Sequence, residues 1–183
     1  MADWRLTDII CRWRVRSGLI FALVTLILAK PNLVSLMISF GLALAGLALR
    51  TWACGHLTKE RELTTSGPYQ YTRNPLYLGN LILGAAIVIA ALSWWVLAFF
   101  CVYFLIFYPT PIKFEKERMA ELFPESYREY SAKVPLLFPS LRPGKTNEDK
   151  RFQGYLYTKN KEYRALVGVL VYWAALALKA IFF

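Results

Sequence analysis

The sequence predicts an all-α membrane protein: a polytopic bundle of about five transmembrane helices, with a cytoplasmic amphipathic helical segment capping one end. Three observations support this prediction. Hydrophobic residues make up 57% of the chain, against roughly 45–50% in soluble domains. They occur in long blocks, as they do in integral membrane proteins. The basic residues gather between particular blocks, as positive charges do beside membrane spans.

The apolar blocks give the spans in chain order. The first block ends before Pro31, which stops a helix. The block at 81–108 is too long for one span and has a polar break at Ser93, which predicts a hairpin of two short helices. The second span carries Gly41 and Gly46 among alanines, a face suited to close helix packing. The expected spans are residues 17–29, 33–54, 78–92, 94–108 and 165–183.

The charges predict the sidedness of the bundle. Basic residues lie before the first span, between the second and third, and between the fourth and fifth, and only Lys30 and Lys179 fall on the other side. By the positive-inside rule the N-terminus and both large loops face the cytoplasm, and the C-terminus lies opposite. We attribute the net charge of +10 to this topology and to anionic lipid head groups, and not to nucleic acid.

The chain divides into three parts on this interpretation. Residues 1–112 form a membrane bundle of four spans and include a polar loop at 56–80. Residues 113–162 form a cytoplasmic or interfacial segment, and residues 163–183 form the fifth span. Because the two polar segments fall on one face of the membrane, any functional site is expected where they meet.

Residues 113–135, KFEKERMAELFPESYREYSAKVP, predict one or two amphipathic helices at the membrane interface. Charged residues alternate with apolar ones such as Met119 and Tyr127 at helical spacing. Glu115 and Glu117 lie close to the end of the fourth span, where a carboxylate needs a cationic partner or a ligand.

The stretch SGPYQYTRNPLYLGN, residues 66–80, is too polar and too rich in proline for a membrane span. Gly67 and Pro68 predict a turn, Asn74 is biased away from helical backbone angles, and Pro75 suits the first turn of the third span. The backbone amides at such a helix N-terminus favour a bound anionic group.

The side chains of this stretch suit a ligand with both charge and a ring. Arg73 is a bidentate partner for a carboxylate. Tyr69, Tyr71 and Tyr77 offer aromatic faces for an adenine ring or a sulfonium cation. An ordinary interfacial belt of tyrosine and arginine is the alternative interpretation.

Two motifs resemble those of integral membrane methyltransferases. GPYQYTRNPLYLG, residues 67–79, is similar to the GPY–RHPxYxG motif of isoprenylcysteine carboxyl methyltransferases and their phospholipid N-methyltransferase relatives. EKERMAELFPESYREYSAKVP, residues 115–135, resembles that group's EExxLxxxFGxxYxxYxxxVP. The resemblance covers roughly residues 60–140 and implies a methyltransferase that uses S-adenosylmethionine.

The resemblance also implies which residues bind the methyl donor. Residues just before the turn line the cofactor site with Tyr69, the NPLY run holds the donor through side chains and backbone, and Glu115 meets its ammonium group. The expected cofactor-binding residues are Arg61, Glu62, Leu63, Thr64, Tyr69, Asn74, Pro75, Leu76, Tyr77 and Glu115, and no metal ligand is expected.

Arg73 and Glu117 are the candidate catalytic residues. Methyl transfer from a sulfonium is an in-line displacement, for which the protein supplies position and dehydration. An amine acceptor must lose its proton, and Glu117 is a carboxylate that would accept it. Asn74 stands where the family has histidine, and an amide is neither an acid nor a base near neutral pH.

The acceptor is expected to be a lipid or lipid-like molecule, either a phospholipid amine or an isoprenoid-type substrate, that enters sideways from the bilayer. Carboxyl methylation of a prenylated cysteine is a narrower alternative. The resemblance disfavours it, because Pro111 stands at the position where those enzymes have an arginine.

A non-catalytic scaffold or a transporter subunit is a different class of function. Transport is disfavoured because no expected span has an ionisable residue near its middle. A reductase relative is a third, disfavoured because no Gly-rich phosphate loop is present. Oligomeric state is left open.

Overall fold

The computed structural model describes residues 17–58, 62–144 and 150–182. Within these ranges the chain is helical and contains no strand, which confirms the all-α prediction. One 3₁₀ turn, Gly67–Gln70, separates the second helix from the third. The helices are α1 (Ser17–Leu28), α2 (Leu33–Cys54), α3 (Pro75–Ala91), α4 (Trp94–Phe107), α5 (Pro109–Leu122), α6 (Pro124–Lys133), α7 (Gly154–Lys159) and α8 (Tyr163–Phe182).

Three helical stretches are long and apolar enough to cross a membrane: α2, the run Trp94–Leu122 that joins α4 to α5, and α8. The helices α1 and α3 are apolar but shorter. Large apolar side chains point outward along these helices, and Ile27, Leu33 and Leu105 are among the most exposed. Such a surface is stable against lipid and not against water. The structure is therefore a helical membrane bundle.

The turns α1–α2 and α3–α4 lie together at one end of the bundle. The amide of Lys30 donates to the carbonyl of Ala91 at 2.8 Å, and the ammonium of Lys179 donates to the carbonyls of Leu26 and Ile27 at 2.8 and 2.7 Å. These bonds satisfy carbonyls that the end of a helix leaves without an intrahelical partner. The apolar cluster at this end comprises Ala29, Ala90, Ala91, Val96 and Leu176.

The break between α3 and α4 lies where the sequence predicts it. Leu92 ends α3 in the left-handed conformation with φ 47°, and Ser93 is extended before α4 begins at Trp94. Helix α3 begins before the expected apolar span at residue 78, at the proline that the sequence predicts for its first turn. The helix starts at Pro75, because proline at the first position loses no intrahelical hydrogen bond and its φ suits a helix.

Helices α2 and α3 cross closely through two glycines. A Cβ at Gly46 would lie 3.2 Å from the carbonyl oxygen of Gly79, and a Cβ at Gly79 would lie 2.4 Å from Cγ of Arg50. A Cβ at Gly41 would meet nothing within 4 Å. Only one of the two glycines predicted for close packing in α2 therefore lies at a helix contact within the described chain.

Gly46→Val is expected to destabilise the protein, because added methyl groups would push α3 away from α2; overpacking of this kind costs about 1–3 kcal/mol. Gly41→Val makes the same chemical change on an open face and is expected to stay within about 0.5 kcal/mol of the parent. The helical circular dichroism signal of both variants, followed during heating in detergent, measures the difference. Equal melting temperatures for the two variants would contradict the close crossing.

The amphipathic segment forms two helices that continue directly from the fourth span. Only Tyr108 separates α4 from α5, and its backbone angles remain right-handed helical. Helix α5 ends at Leu122, one residue before Phe123, because Pro124 cannot continue its hydrogen bonding, and Pro124 then becomes the first residue of α6. The structure thus brings 113–135 to the end of the bundle opposite the α3–α4 turn.

Candidate functional site

A cavity of about 750 Å³ opens at this end of the bundle, between the loop before α3 and the helices α5 and α6. The volume lies in the range of roughly 300–1,000 Å³ that small-molecule sites occupy. The polar loop and the amphipathic segment, which are distant in sequence, both contribute side chains to its wall. Besides the predicted residues, its lining includes Arg50, Asn80, Phe114, Lys116, Arg118, Met119, Tyr127 and Tyr130.

The loop folds over the end of α2 through a glycine turn. Gly67 has φ +59°, a left-handed conformation, and a Cβ there would lie 2.6 Å from Nε2 of His56. A side chain at this position would therefore be strained and would also clash. The 3₁₀ turn that follows buries Tyr69, and burial raises the pKa of its phenol well above the ordinary value. Tyr69 is accordingly a neutral wall of the cavity at every physiological pH.

A second segment, residues 135–144, lies along the loop and holds its backbone in place; we call it the strap. The amide of Arg73 donates to the carbonyl of Pro135 at 2.9 Å. The hydroxyl of Thr72 donates to the carbonyl of Leu137 at 2.8 Å, and Nδ2 of Asn74 donates to the carbonyl of Leu136 at 2.8 Å. The side-chain bond to Leu136 thus fixes the position of Asn74, the residue directly before α3 begins at Pro75.

Glu115 of α5, in the motif at 115–135, is hydrogen-bonded to the motif at 67–79. Oη of Tyr77 in α3 donates to Oε1 of Glu115 at 2.9 Å. Tyr77 is buried and packs against Tyr108 and Ile112 below the cavity. The bond aims one carboxylate oxygen at the first turn of α3.

Arg73 presents a cation to the cavity that no carboxylate neutralises in the described ranges of the chain. Its Nη1 donates to Oη of Tyr127 at 3.1 Å, and the guanidinium lies 5.8 Å from the centre of the same ring. Its Nε is buried, and no acceptor for it is present among the described residues. A buried guanidinium nitrogen without an acceptor is costly, so an oxygen acceptor beside this atom would be stabilising.

Two tyrosines of α6 form the cavity wall beside Arg73. Oη of Tyr130 donates to the carbonyl of Tyr69 at 2.7 Å, and burial raises the pKa of Tyr130. The ring of Tyr127 packs against that of Tyr130, with Val134 completing the cluster. Helix α6 therefore closes the cavity over the loop.

At the entrance, Glu62 accepts from Oγ1 of Thr58 at 2.6 Å and forms an ion pair with Lys150. The pKa of Glu62 is lowered first by the hydrogen bond from Lys150 and then by that from Thr58. The carboxylate therefore stays ionised at neutral pH. Through its ion pair with Lys150 it joins the segment before α7 to the loop.

Of the twelve residues proposed from the sequence, ten line this one cavity, one does not, and one lies outside the described residues. Arg61 falls outside the described residues. Glu117 is not part of the lining; its side chain is 43% exposed and lies 3.9 Å from the ammonium of Lys113. The predicted residues in the cavity wall are Glu62, Leu63, Thr64, Tyr69, Arg73, Asn74, Pro75, Leu76, Tyr77 and Glu115.

The sequence did not single out Arg50 and Asn80 of the cavity wall, or Glu162, which is bonded to Arg50. Arg50 of α2 donates through Nε to Oε1 of Glu162 at 2.6 Å and through Nη2 to Oε2 at 2.8 Å, and its Nη1 bonds to Asn80 of α3. Glu162 lies directly before α8 and is buried. The one available signal was the position of Arg50, a charge within a helix predicted to span the membrane.

His56 lies behind the loop, with Nδ1 3.0 Å from Oγ of Ser66. Burial lowers its pKa from 6.5, so the folded protein favours the neutral ring. As pH falls, His56 binds a proton in the unfolded chain before it does so in the folded protein. The contribution of the neutral His56 to the free energy of unfolding is therefore fully present above about pH 6.5 and decreases as pH falls below that value.

The melting temperature is therefore expected to fall as pH is lowered from 7.5 towards 5. In His56→Gln, which has no proton to bind, this part of the pH dependence should disappear. Thermal unfolding across the pH series, with parent and variant in the same detergent, measures it. An identical slope in both proteins would show that His56 does not carry the pH dependence.

The fold and the two motifs define the class of the protein. The family model for phospholipid methyltransferases matches residues 24–126, and the chain belongs to this family of membrane methyltransferases. The match covers α2 to α5 and includes the loop and Glu115.

Two curated relatives are similar over part of the chain. One is the cobalt-zinc-cadmium resistance protein CzcN of Cupriavidus metallidurans, 37% identical over 61% of this chain and 51% of its own length. Another is the nickel-cobalt-cadmium resistance protein NccN of Alcaligenes xylosoxydans xylosoxydans, 33% identical over 50% of this chain and 44% of its own length. The chain thus spans about half the length of these relatives. No solved structure matches the chain.

Proposed function

We propose that this protein is an S-adenosylmethionine-dependent methyltransferase that transfers a methyl group to a lipid or lipid-like acceptor within the membrane. The observation that carries the proposal is that both family motifs meet in one cavity, where Tyr77 of the first bonds to Glu115 of the second. Membership of the phospholipid methyltransferase family supports it independently.

The charges of the cavity fit the amino-acid part of the donor. A carboxylate oxygen suits Arg73, which has a buried Nε without an acceptor among the described residues and an aromatic ring against its face. The ammonium group suits Glu115, whose carboxylate Tyr77 orients. Aromatic walls at Tyr69 and Tyr77 suit an adenine ring and a sulfonium. Leu63, Thr64, Asn74, Pro75 and Leu76 would complete the wall.

The bound donor would supply a methyl group on a positively charged sulfur, and the protein's part is to orient and dehydrate the reactants. Arg73 would act by holding the donor in place. Glu117 lies outside the cavity wall, so we assign no proton transfer to it. Helices α5 and α6, which belong to the segment proposed at 113–162, would form the cap over the site.

We further propose that this end of the bundle faces the cytoplasm, in accordance with the distribution of basic residues, and that the acceptor enters from the bilayer. A phospholipid amine is favoured over the carboxylate of a prenylated cysteine. The carboxylate of a prenylated cysteine would need a cation at position 111, where this chain has Pro111 in the cavity wall. The nearby Lys113 is exposed and lies beside Glu117.

The names of the two relatives refer to metal resistance. In the described parts of the chain, no group of three or more His, Cys, Asp or Glu side chains is placed to hold a metal ion, and we propose no metal site.

Ligand-dependent thermal stabilisation tests the proposal. S-adenosylhomocysteine should raise the melting temperature of the protein in detergent, since a ligand at a hundred times its dissociation constant stabilises by about 2.7 kcal/mol. 5′-Methylthioadenosine, which lacks the amino-acid part, should stabilise much less because it cannot reach Arg73 and Glu115. No shift at millimolar S-adenosylhomocysteine would exclude the methyltransferase and favour a scaffold or transporter subunit.

A second measurement identifies the acceptor. The protein is incubated with methyl-labelled donor and a total lipid extract, and the labelled product is separated and analysed. A labelled phospholipid head group would support the favoured acceptor, whereas label in a base-labile methyl ester would support carboxyl methylation.

A further inference from the structure

Two large apolar side chains at the tip of the strap are exposed although they belong to no membrane helix. The side chain of Phe138 is 71% exposed and that of Leu141 is 100% exposed. Burying a side chain of this size contributes about 1.5–3 kcal/mol, so this tip is unfavourable in water.

One backbone hydrogen bond within the tip and one after it hold it in this exposed position. The amide of Ser140 donates to the carbonyl of Tyr71 at 2.9 Å, and that of Gly144 donates to the carbonyl of Gln70 at 2.8 Å. A Cβ at Gly144 would lie 2.6 Å from Cγ2 of Val134, so the backbone there packs tightly on α6. Phe138 and Leu141 are therefore directed outward by ordered backbone.

The tip is bonded to residues that lie beside the ends of α2 and α3. Its bonding partners, residues 70–74, directly precede the first residue of α3. The ring of Tyr71 lies 6.4 Å from that of Trp52, which is 42% exposed in the last turn of α2. Tryptophan and tyrosine at the end of a membrane helix mark the boundary between lipid and water.

The charge of the strap suits a lipid surface. Arg142 is its single ionisable residue within 135–144, and it is exposed beside Leu141. A cation next to apolar side chains matches anionic lipid head groups above acyl chains.

We propose that Phe138 and Leu141 insert into the interfacial region of the bilayer, with Arg142 at the head groups, and that the strap is a lipid anchor for the cavity. Asn74 and Thr72 bond to the strap at Leu136 and Leu137. Insertion of the tip thereby fixes the loop that lines the cavity relative to the membrane surface. This proposal stands on the geometry of the strap and does not require methyl transfer.

Spin labelling in lipid vesicles tests it. Leu141→Cys is made in a Cys11→Ser/Cys101→Ser background, which keeps the buried Cys54, and the unmodified background controls for stray label. The labelled protein is reconstituted into vesicles of phosphatidylcholine and phosphatidylglycerol. Collisions with oxygen, which concentrates in lipid, and with a water-soluble nickel chelate are then compared. Leu105→Cys in α4 and Glu129→Cys on the outer face of α6 serve as the lipid and water references.

The ratio of oxygen to nickel collisions at position 141 is expected to be several-fold above that at position 129 and to approach that at position 105. A ratio equal to that at position 129 would place the tip in water and overturn the proposal. Low collision with both reagents would also overturn it, because it would show that a second copy or another protein covers the tip. Phe138→Cys is the second variant if Leu141→Cys does not reconstitute.

Discussion

Glu162→Gln is expected to lower the free energy of unfolding by about 3–5 kcal/mol, because it leaves the guanidinium of Arg50 without its charged partner in a buried site. The two oxygens of Glu162 accept from Nε and Nη2 of Arg50 at 2.6 and 2.8 Å. The two side chains are only 15% and 6% exposed, so water is a poor replacement for the missing carboxylate. The pair also joins α8 to α2, and its loss should loosen the inner end of the cavity.

Glu117→Gln is the matched control for this prediction. Its partner Lys113 lies 3.9 Å away, and the two side chains are 77% and 43% exposed. Exposed pairs of this kind contribute about 0–1 kcal/mol, so the same substitution should hardly change the melting temperature. Arg50→Lys tests the geometry, since it keeps the charge but not the two parallel bonds, and should fall between the parent and Glu162→Gln. Equal melting temperatures for Glu162→Gln and Glu117→Gln would show that the buried pair contributes nothing to stability.

The helices were largely predictable, because hydrophobicity and proline act locally along the chain. The apolar block of α2 gives its bounds directly, and the break at Ser93 follows from one polar residue in a block too long for one span. The meeting of the two polar segments followed from counting spans, since segments separated by an even number of spans lie on one side. The proposed residues of the cavity wall depended on the motif resemblance as well.

The contacts that hold the cavity in shape were not predictable, because they join residues far apart in sequence. Arg50 and Glu162 are separated by 112 positions, and nothing near either residue identifies the other. The strap at 135–144 has no periodicity, so its bonds to residues 70–74 depend on the folded chain. Glu117 is a further example. It is close to Glu115 in sequence, but side chains two positions apart on a helix point in different directions, so only Glu115 lines the cavity.

Glu115→Gln is expected to weaken binding of S-adenosylhomocysteine by about 10- to 150-fold, on the proposed role of this carboxylate at the ligand's ammonium group. A hydrogen bond to a charged group contributes about 1.5–3 kcal/mol, and each 1.4 kcal/mol is about a tenfold change in affinity. Tyr77 donates to Oε1 of Glu115, and an amide oxygen at 115 still accepts this bond, so the substitution removes the charge and preserves the shape. Isothermal titration calorimetry in detergent, for parent and variant, measures the change.

Glu121→Gln provides the control, because Glu121 lies on the same helix, is exposed and does not line the cavity. Its affinity for S-adenosylhomocysteine should equal that of the parent. The decisive comparison is with 5′-methylthioadenosine, which has the same nucleoside but no ammonium group. If Glu115 contacts the ammonium, Glu115→Gln must weaken S-adenosylhomocysteine and leave 5′-methylthioadenosine unchanged. An equal loss for both ligands would instead mean that Glu115 shapes the nucleoside part of the cavity. Unchanged binding of both would remove it from the binding site.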